Sequence, residues 1–204
     1  MTPTKRVFDI VLALILGVIL ILPIVVIAAL ILLREGRPVL YLSERMKTPD
    51  TGFQLWKFRT MHVVHNDSGV SGGDKSARIT AIGARLRRLR LDELPQLWNI
   101  LRGDISFVGP RPPLRRYVEL CPDLYARVLR SRPGVTGLAT IRFHKTEERL
   151  LSRCQTPPQT EAVYLRRCVP TKARLDLIYA RHQSLCFDAA LILETIRQVF
   201  KRGA

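Results

Sequence analysis

Two adjacent acids sit inside a strongly basic stretch. In RRLRLDELPQLWNILRGDISFVGPRP, residues 87–112, Asp92 and Glu93 follow Arg87, Arg88 and Arg90, and the stretch ends on a Gly- and Pro-rich turn that carries Arg111. A carboxylate can attack a phosphoryl group only where its own charge and that of the phosphate are both offset. Arg, Lys and a divalent ion do this. Asp92 and Glu93 are therefore candidate working acids, one as nucleophile while its neighbour holds a metal. Mg²⁺ is the natural ion, because it accepts one or two carboxylates plus substrate phosphates. Cations are at hand: Arg111 on its rigid turn, and Lys57 and Arg59 two apart on one face of a strand in WKFRTM. A plainer reading stands beside this one. Proline is tolerated in the first turn of a helix, so Pro95 predicts a helix starting at Asp92, with Leu94, Leu97, Trp98 and Leu101 as its apolar stripe. Asp92 would then be a cap accepting backbone N–H bonds, although such a helix start also attracts phosphate oxygens. Lys57 and Arg59 read equally well as a solvated basic strand face.

The elements that must position these groups follow from periodicity. PVLYLSER and FQLWKFRTM alternate apolar and polar residues, as short strands do. HVVHNDSGVSGGDKSAR is rich in Gly, Ser, Asn and Asp and reads as a mobile loop, with His62 and His65 as solvated loop residues. A helix is expected over 81–90, with Ile82, Leu86 and Leu89 on one face, and one or two more in RPPLRRYVELCPDLYARVLRSRPG. Near the end, Leu185, Leu191, Ile192, Ile196, Val199 and Phe200 recur at helical spacing between basic flanks. That pattern suits core packing or a helix lying at a membrane interface.

The N-terminal segment is of a different kind. No charge occurs from Ile10 to Leu33, and these 24 residues are enough to cross a hydrocarbon core of roughly 30 Å. A cleaved signal peptide fits poorly, since the run is too long and no small-x-small site follows. Pro23 lies near its middle and predicts a kink, with half-helices of roughly 20 and 15 Å on either side. Both flanks are basic: Lys5 and Arg6 before the run, and Arg34, Arg37, Arg45 and Lys47 after it. The positive-inside rule puts both ends on the cytoplasmic side, as a re-entrant hairpin would. A kinked spanning helix is the alternative.

Length and charge bound what remains. The 204 residues fit one domain with an attachment. Their net charge of +16 implies a polyanionic partner: nucleic acid, an anionic membrane or a phosphorylated substrate. No nucleic-acid motif with interleaved aromatics is present. Cys121, Cys154, Cys168 and Cys186 lack C-x-x-C or metal spacing and read as free thiols.

Taken together, KRVFD with its Pro-containing apolar run, WKFRTM, LRLDELPQLWNILRGDISFVGPRP, RPGVTG and LDLIYARHQSLCFDAALIL resemble the bacterial sugar transferases, in the minimal form of the monotopic polyprenol-phosphate phosphoglycosyl transferases. The DELPQLWN and FVGPRP blocks are highly specific. The resemblance implies an α+β, mainly helical fold: a re-entrant, Pro-kinked membrane helix over residues 1–35 and a small cytoplasmic catalytic domain over 36–204 with amphipathic interfacial helices. It implies transfer of a sugar phosphate from a UDP-sugar to undecaprenyl phosphate, with release of UMP, at the cytoplasmic face of a bacterial inner membrane. Asp92 would attack the β-phosphate to form a covalent phosphosugar intermediate, and Glu93 would support Mg²⁺. Lys57, Arg59 and Arg111 would bind phosphate, with Asp176 of LDLIY as a further acidic position. The partners implied are UDP-sugar, undecaprenyl phosphate and membrane lipids, not nucleic acid, and a homodimer is compatible with the sequence. Competing readings are a membrane-tethered basic adaptor and a glycosyltransferase that releases UDP. The match breaks where LATIRFHKTEE replaces the family's Trp-Ala-Gln-Val-Asn-Gly-Arg run, and at Leu22, where a serine often precedes the proline.

Overall fold

The computed structural model describes residues 1–63 and 73–203, so most of the expected loop around His65 lies outside the described residues. The chain is α+β and mainly helical. Its first element, α1 (Pro3–Glu35), is a helix long and apolar enough to cross a membrane. Thr2 caps it by accepting the Lys5 N–H, and Gly36, at a φ of 72°, ends it in a conformation that a side chain would resist. Pro23 lies inside it.

The inward residues of α1 cluster at its two ends. Lys5, Asp9 and Ala13 are buried at one end and Ile27 and Ile31 at the other, while Val18 (76% exposed) and Leu22 (69%) between them are bare. Ala13 packs in a cluster with Leu55, Ile100 and Ile105, whereas Ile27 and Ile31 cluster with Phe58 and Leu86. Both ends therefore rest on the same folded unit.

The two alternating segments form an antiparallel hairpin, β1 (Leu40–Met46) and β2 (Gly52–Phe58), in register from Leu40↔Phe58 to Met46↔Gly52. Next comes α2 (Ala81–Arg88), capped by the Thr80 hydroxyl, which accepts the Gly83 N–H at 2.9 Å. It stops two residues short of the expected end because Arg90 takes a left-handed φ of 56°. The chain then makes a 3-10 turn, Leu91–Glu93, and only after Pro95 begins α3 (Gln96–Arg102). The expectation that a helix starts at Asp92 with that residue as its cap is thereby corrected: no side chain caps α3, and both acids lie in the turn that precedes it.

Beyond α3, β3 (Ser106–Val108) pairs in parallel with β4 (Gly134–Thr136), and α4 (Arg115–Leu120) and α5 (Pro122–Val128) fill the crossover. The divergent segment forms α6 (Leu138–Leu151). It is followed by α7 (Pro157–Val163), a π-helical turn over Tyr164–Cys168, and α8 (Val169–His182). The main core gathers Tyr117, Val118, Tyr125, Tyr164 and Cys168 from α4, α5 and the α7–α8 region. The last helix, α9 (Leu185–Gly203), divides its apolar stripe. Leu191 is buried with Val108 and Tyr179, while Leu185, Ile196 and Phe200 stay exposed. All four cysteines are free.

Candidate active site

Three cations from separate elements converge on Glu93. Its Oε1 accepts from Lys57 Nζ at 2.8 Å and from Arg111 Nη2 at 3.1 Å, and its Oε2 accepts from Arg90 Nη2 at 2.7 Å. Each cation is delivered by a definite feature of the fold. Asn99 ties β2 to α3: its Oδ1 accepts the Trp56 N–H and its Nδ2 donates to the Gln54 carbonyl. That clamp sets Lys57, the next residue on the strand, against the turn. Arg90 reaches Glu93 because its left-handed backbone folds the chain back at the end of α2.

Arg111 depends on a close backbone approach. The Gly109 N–H donates to the Thr136 carbonyl and the Gly134 N–H to the Pro110 carbonyl. A Cβ on Gly109 would lie 2.1 Å from the Arg132 carbonyl oxygen, so only glycine lets the turn sit so near β4. On its far side the turn is held to β1, where Met46 N–H donates to the Pro113 carbonyl.

The two neighbouring acids thus have opposite environments. Burial alone would raise the Glu93 carboxyl, but Lys57, Arg90 and Arg111 outweigh it and hold the group well below the usual range. Burial raises Asp92, with Lys57 pulling it back and the Glu93 charge adding to the rise. Among the described residues none donates a hydrogen bond to Asp92. One acid is a structural anion; the other is left unpaired and more basic. Lys57 is pushed down, mainly by burial, and Arg111 is raised, mainly by Glu93.

This donor set can be tested against a divalent ion. Glu93 Oε1 accepts two hydrogen bonds and Oε2 one, and no described residue donates to Asp92. Among the described residues there is no group of three or more His, Cys, Asp or Glu able to hold a metal. The pair suits an ion that brings its own phosphate and water ligands, as Mg²⁺ does, and not one caged by protein.

Other residues singled out in the sequence lie elsewhere. Arg59 does not share the site with Lys57. It follows the end of β2, and its guanidinium donates to the carbonyls of Glu35, Gly36 and Arg37 at 2.8, 2.9 and 3.1 Å, closing the end of α1. Both Nη groups are thus turned to backbone at the end of α1 and not to Glu93, while Nε has no partner among the described residues. Asp176 is buried on α8 with Lys172 one turn away, beside Tyr125, and has no bond to Lys57, Asp92, Glu93 or Arg111. Burial pushes its carboxyl up to about 7, against the pull of Lys172.

Sequence reasoning missed the use made of Lys5 and Arg6. Lys5 is buried in an ion pair with Asp188, whose other oxygen lies 2.7 Å from the Tyr179 hydroxyl. Arg6 donates to the carbonyls of Ile100 and Leu101 at the end of α3. A signal was present in Asp9, an acid one turn into an apolar helix, which a lipid-facing position would not tolerate. Its Oδ1 accepts the Phe107 N–H.

Comparison with known proteins places the sequence among relatives. The family model described as bacterial sugar transferase matches residues 1–202. A UDP-glucose:undecaprenyl-phosphate glucose-1-phosphate transferase of Caulobacter vibrioides is 36% identical over 94% of this chain and 68% of its own length. The protein of the same name from Escherichia coli is 33% identical over 98% of this chain and 41% of its own. A UDP-N-acetylgalactosamine-undecaprenyl-phosphate N-acetylgalactosaminephosphotransferase of Aeromonas hydrophila is 31% identical over 84% of this chain and 38% of its own. The chain thus spans about two-thirds of the first and about two-fifths of the other two.

Proposed function

This chain belongs to the bacterial sugar transferase family, and on that premise we propose that it moves a sugar 1-phosphate from a UDP-sugar to undecaprenyl phosphate. The observation that carries this reading is the division of labour between the adjacent acids: Glu93 binds three cations while Asp92, beside it, accepts no hydrogen bond from any described residue. In the first step an Asp92 oxygen attacks the β-phosphorus. The bond from that phosphorus to the oxygen bridging to the α-phosphate breaks, and UMP leaves with the bridging oxygen. In the second step an oxygen of undecaprenyl phosphate attacks the same phosphorus, the acyl-phosphate bond breaks, and Asp92 is regenerated beside a lipid diphosphosugar.

Lys57 and Arg111 share Glu93 and remain close enough to turn toward phosphate oxygens, offsetting charge where it develops. Mg²⁺ would be held by Glu93 and the substrate phosphates, and would supply further charge neutralisation at phosphorus. The names of the relatives, which specify UDP-glucose or UDP-N-acetylgalactosamine together with undecaprenyl phosphate, support both substrate classes.

The placement of α1 belongs to the same proposal. Its 33 residues amount to about 50 Å of helix, yet Lys5 and Arg6 at one end and Glu35 at the other all bond to the folded unit. A helix with both ends on one domain and a bare apolar middle fits a re-entrant segment over residues 1–35, with 36–204 as the catalytic domain on the cytoplasmic face. Single cysteines at Thr2 and Arg37 should then label from the same side of sealed vesicles; labelling from opposite sides would establish a spanning helix.

The reaction is tested by UMP release from detergent-solubilised protein with Mg²⁺ and a panel of UDP-sugars, with and without undecaprenyl phosphate. Lipid-dependent UMP formation that Asp92→Asn abolishes is the expected result. UDP as the released nucleotide, or undiminished turnover in the variant, would overturn the mechanism.

A further inference from the structure

We propose that Arg45 is a phosphate-binding residue of this site, working beside Arg111. It lies on β1, where its Nε donates to Ser43 Oγ at 3.2 Å and its Nη1 reaches the Pro112 carbonyl at 3.5 Å. These contacts use two of the five N–H donors of a guanidinium. No described carboxylate pairs with it. Burial lowers its pKa to about 10 and the neighbouring Arg111 charge adds to the effect, so Arg45 is still a cation at neutral pH.

A half-buried cation beside a like charge, with no acid to offset it, weakens the fold. The neighbouring cations are all accounted for. Lys57, Arg90 and Arg111 share Glu93, Arg59 closes α1, and Arg115 pairs with Glu44 at the surface. Among these cations Arg45 alone has no carboxylate partner in the described residues.

Its backbone is also tied to the turn that carries Arg111, through the Met46 N–H to Pro113 carbonyl bond at 2.9 Å. Two guanidinium groups carried on linked backbones, close enough for the Arg111 charge to act on Arg45, suit phosphate oxygens, which Arg binds in bidentate fashion. Resting on the transferase reading, the phosphate has two sources: the diphosphate of the nucleotide sugar and the phosphomonoester of the lipid acceptor.

Binding without turnover separates them. The full chain in detergent is titrated with UDP, inorganic pyrophosphate and undecaprenyl phosphate in mixed micelles, for wild type, Arg45→Gln, Arg45→Lys and Arg115→Ala, with melting curves to confirm folding. Arg45→Gln should bind at least one probe about tenfold or more weakly, with Arg45→Lys intermediate and Arg115→Ala unchanged. A loss for UDP and pyrophosphate assigns the donor diphosphate; a loss for undecaprenyl phosphate alone assigns the acceptor. Wild-type affinity of Arg45→Gln for all three probes would overturn the proposal. Should that variant fail to fold, Arg45→Lys decides, since lysine cannot reproduce the fork and wild-type affinity in it overturns the proposal equally. If the wild type binds pyrophosphate through Arg45 but neither UDP nor undecaprenyl phosphate, the phosphate site stands and the transferase reading falls. If it binds none of the three, both fall.

Discussion

Replacing Asp188 by Asn should loosen the junction between α1 and the rest of the chain. Asp188 and Lys5 are paired with side-chain exposures of 1% and 3%, so water cannot rescue either partner. Asparagine is isosteric and can keep the 2.7 Å contact with the Tyr179 hydroxyl, which confines the perturbation to charge. The Lys5 ammonium is then left buried without its partner. Removing one member of a buried pair costs about 3–5 kcal/mol, and the nearby Asp9 carboxylate should soften that toward the lower end. For a chain of this size about 3 kcal/mol corresponds to roughly 6–12 °C in melting temperature. Lys5→Met should be similarly destabilising, because it strands Asp188, while the double variant should lose much less than the sum. Melting of the four proteins in one detergent closes the cycle. A melting temperature for Asp188→Asn within about 1–2 °C of wild type, or strictly additive losses, would show that the pair holds nothing together.

Three further outcomes follow from the same geometry. Asp92→Asn should leave melting nearly unchanged, since no described residue bonds that carboxylate, whereas Glu93→Gln should destabilise by about 3 kcal/mol or more because three cations lose their anion; comparable melting temperatures would contradict the division of roles. Arg59→Ala should cost about 2–4 kcal/mol through three carbonyls losing a donor, while UDP affinity measured in the folded variant stays within about twofold; a large loss of affinity would restore Arg59 to the phosphate site. For Asp176, raised from 3.8 to about 7, the native state keeps a proton that the unfolded state has lost between those values. That group therefore makes stability fall as pH rises across the interval, by about 1.4 kcal/mol per unit at most. Asp176→Asn should gain up to about 3 kcal/mol on wild type between pH 5 and pH 8, and parallel stability-against-pH curves would refute the assignment.

The hairpin strands, α4, α5 and α9 were legible because each carries its own period and its own stop signals. The meeting of Lys57 and Arg111 at Glu93 was anticipated only as a shared preference for phosphate. What brings them together is long-range: the Asn99 clamp on β2 and the backbone approach at Gly109. The helix expected at Asp92 failed for a local reason. Arg90 adopts a left-handed conformation that few residues other than glycine favour, and the 3-10 turn it creates displaces the helix start beyond Pro95. For Arg59, strand alternation gives the side chain's face but not what waits there, and the structure puts the end of α1 against it. Lys5 and Arg6 were counted as topological charges, yet both are consumed by bonds to Asp188 and to the end of α3. Flanking charge alone therefore says less about membrane orientation here than the two-ended packing of α1 does.

The chemistry proposed for Asp92 also explains why two acids stand side by side. An isolated carboxylate among Lys57, Arg90 and Arg111 would be drawn into ion pairs and its basicity suppressed, as happens to Glu93. Glu93 takes up those contacts instead. Its fixed charge raises its neighbour, and the cations it gathers lie within reach of an incoming phosphate. Three cations gathered on one carboxylate, with Arg45 beside them, give the site a surplus of positive charge. Such a surplus matches a diphosphate's charge without relying on a protein-caged metal. Without Glu93, attraction to the substrate could survive in the remaining cations, but Asp92 would become their partner and lose its availability as a nucleophile. On the proposed mechanism, Glu93 matters less for what it touches in the substrate than for what it keeps away from Asp92.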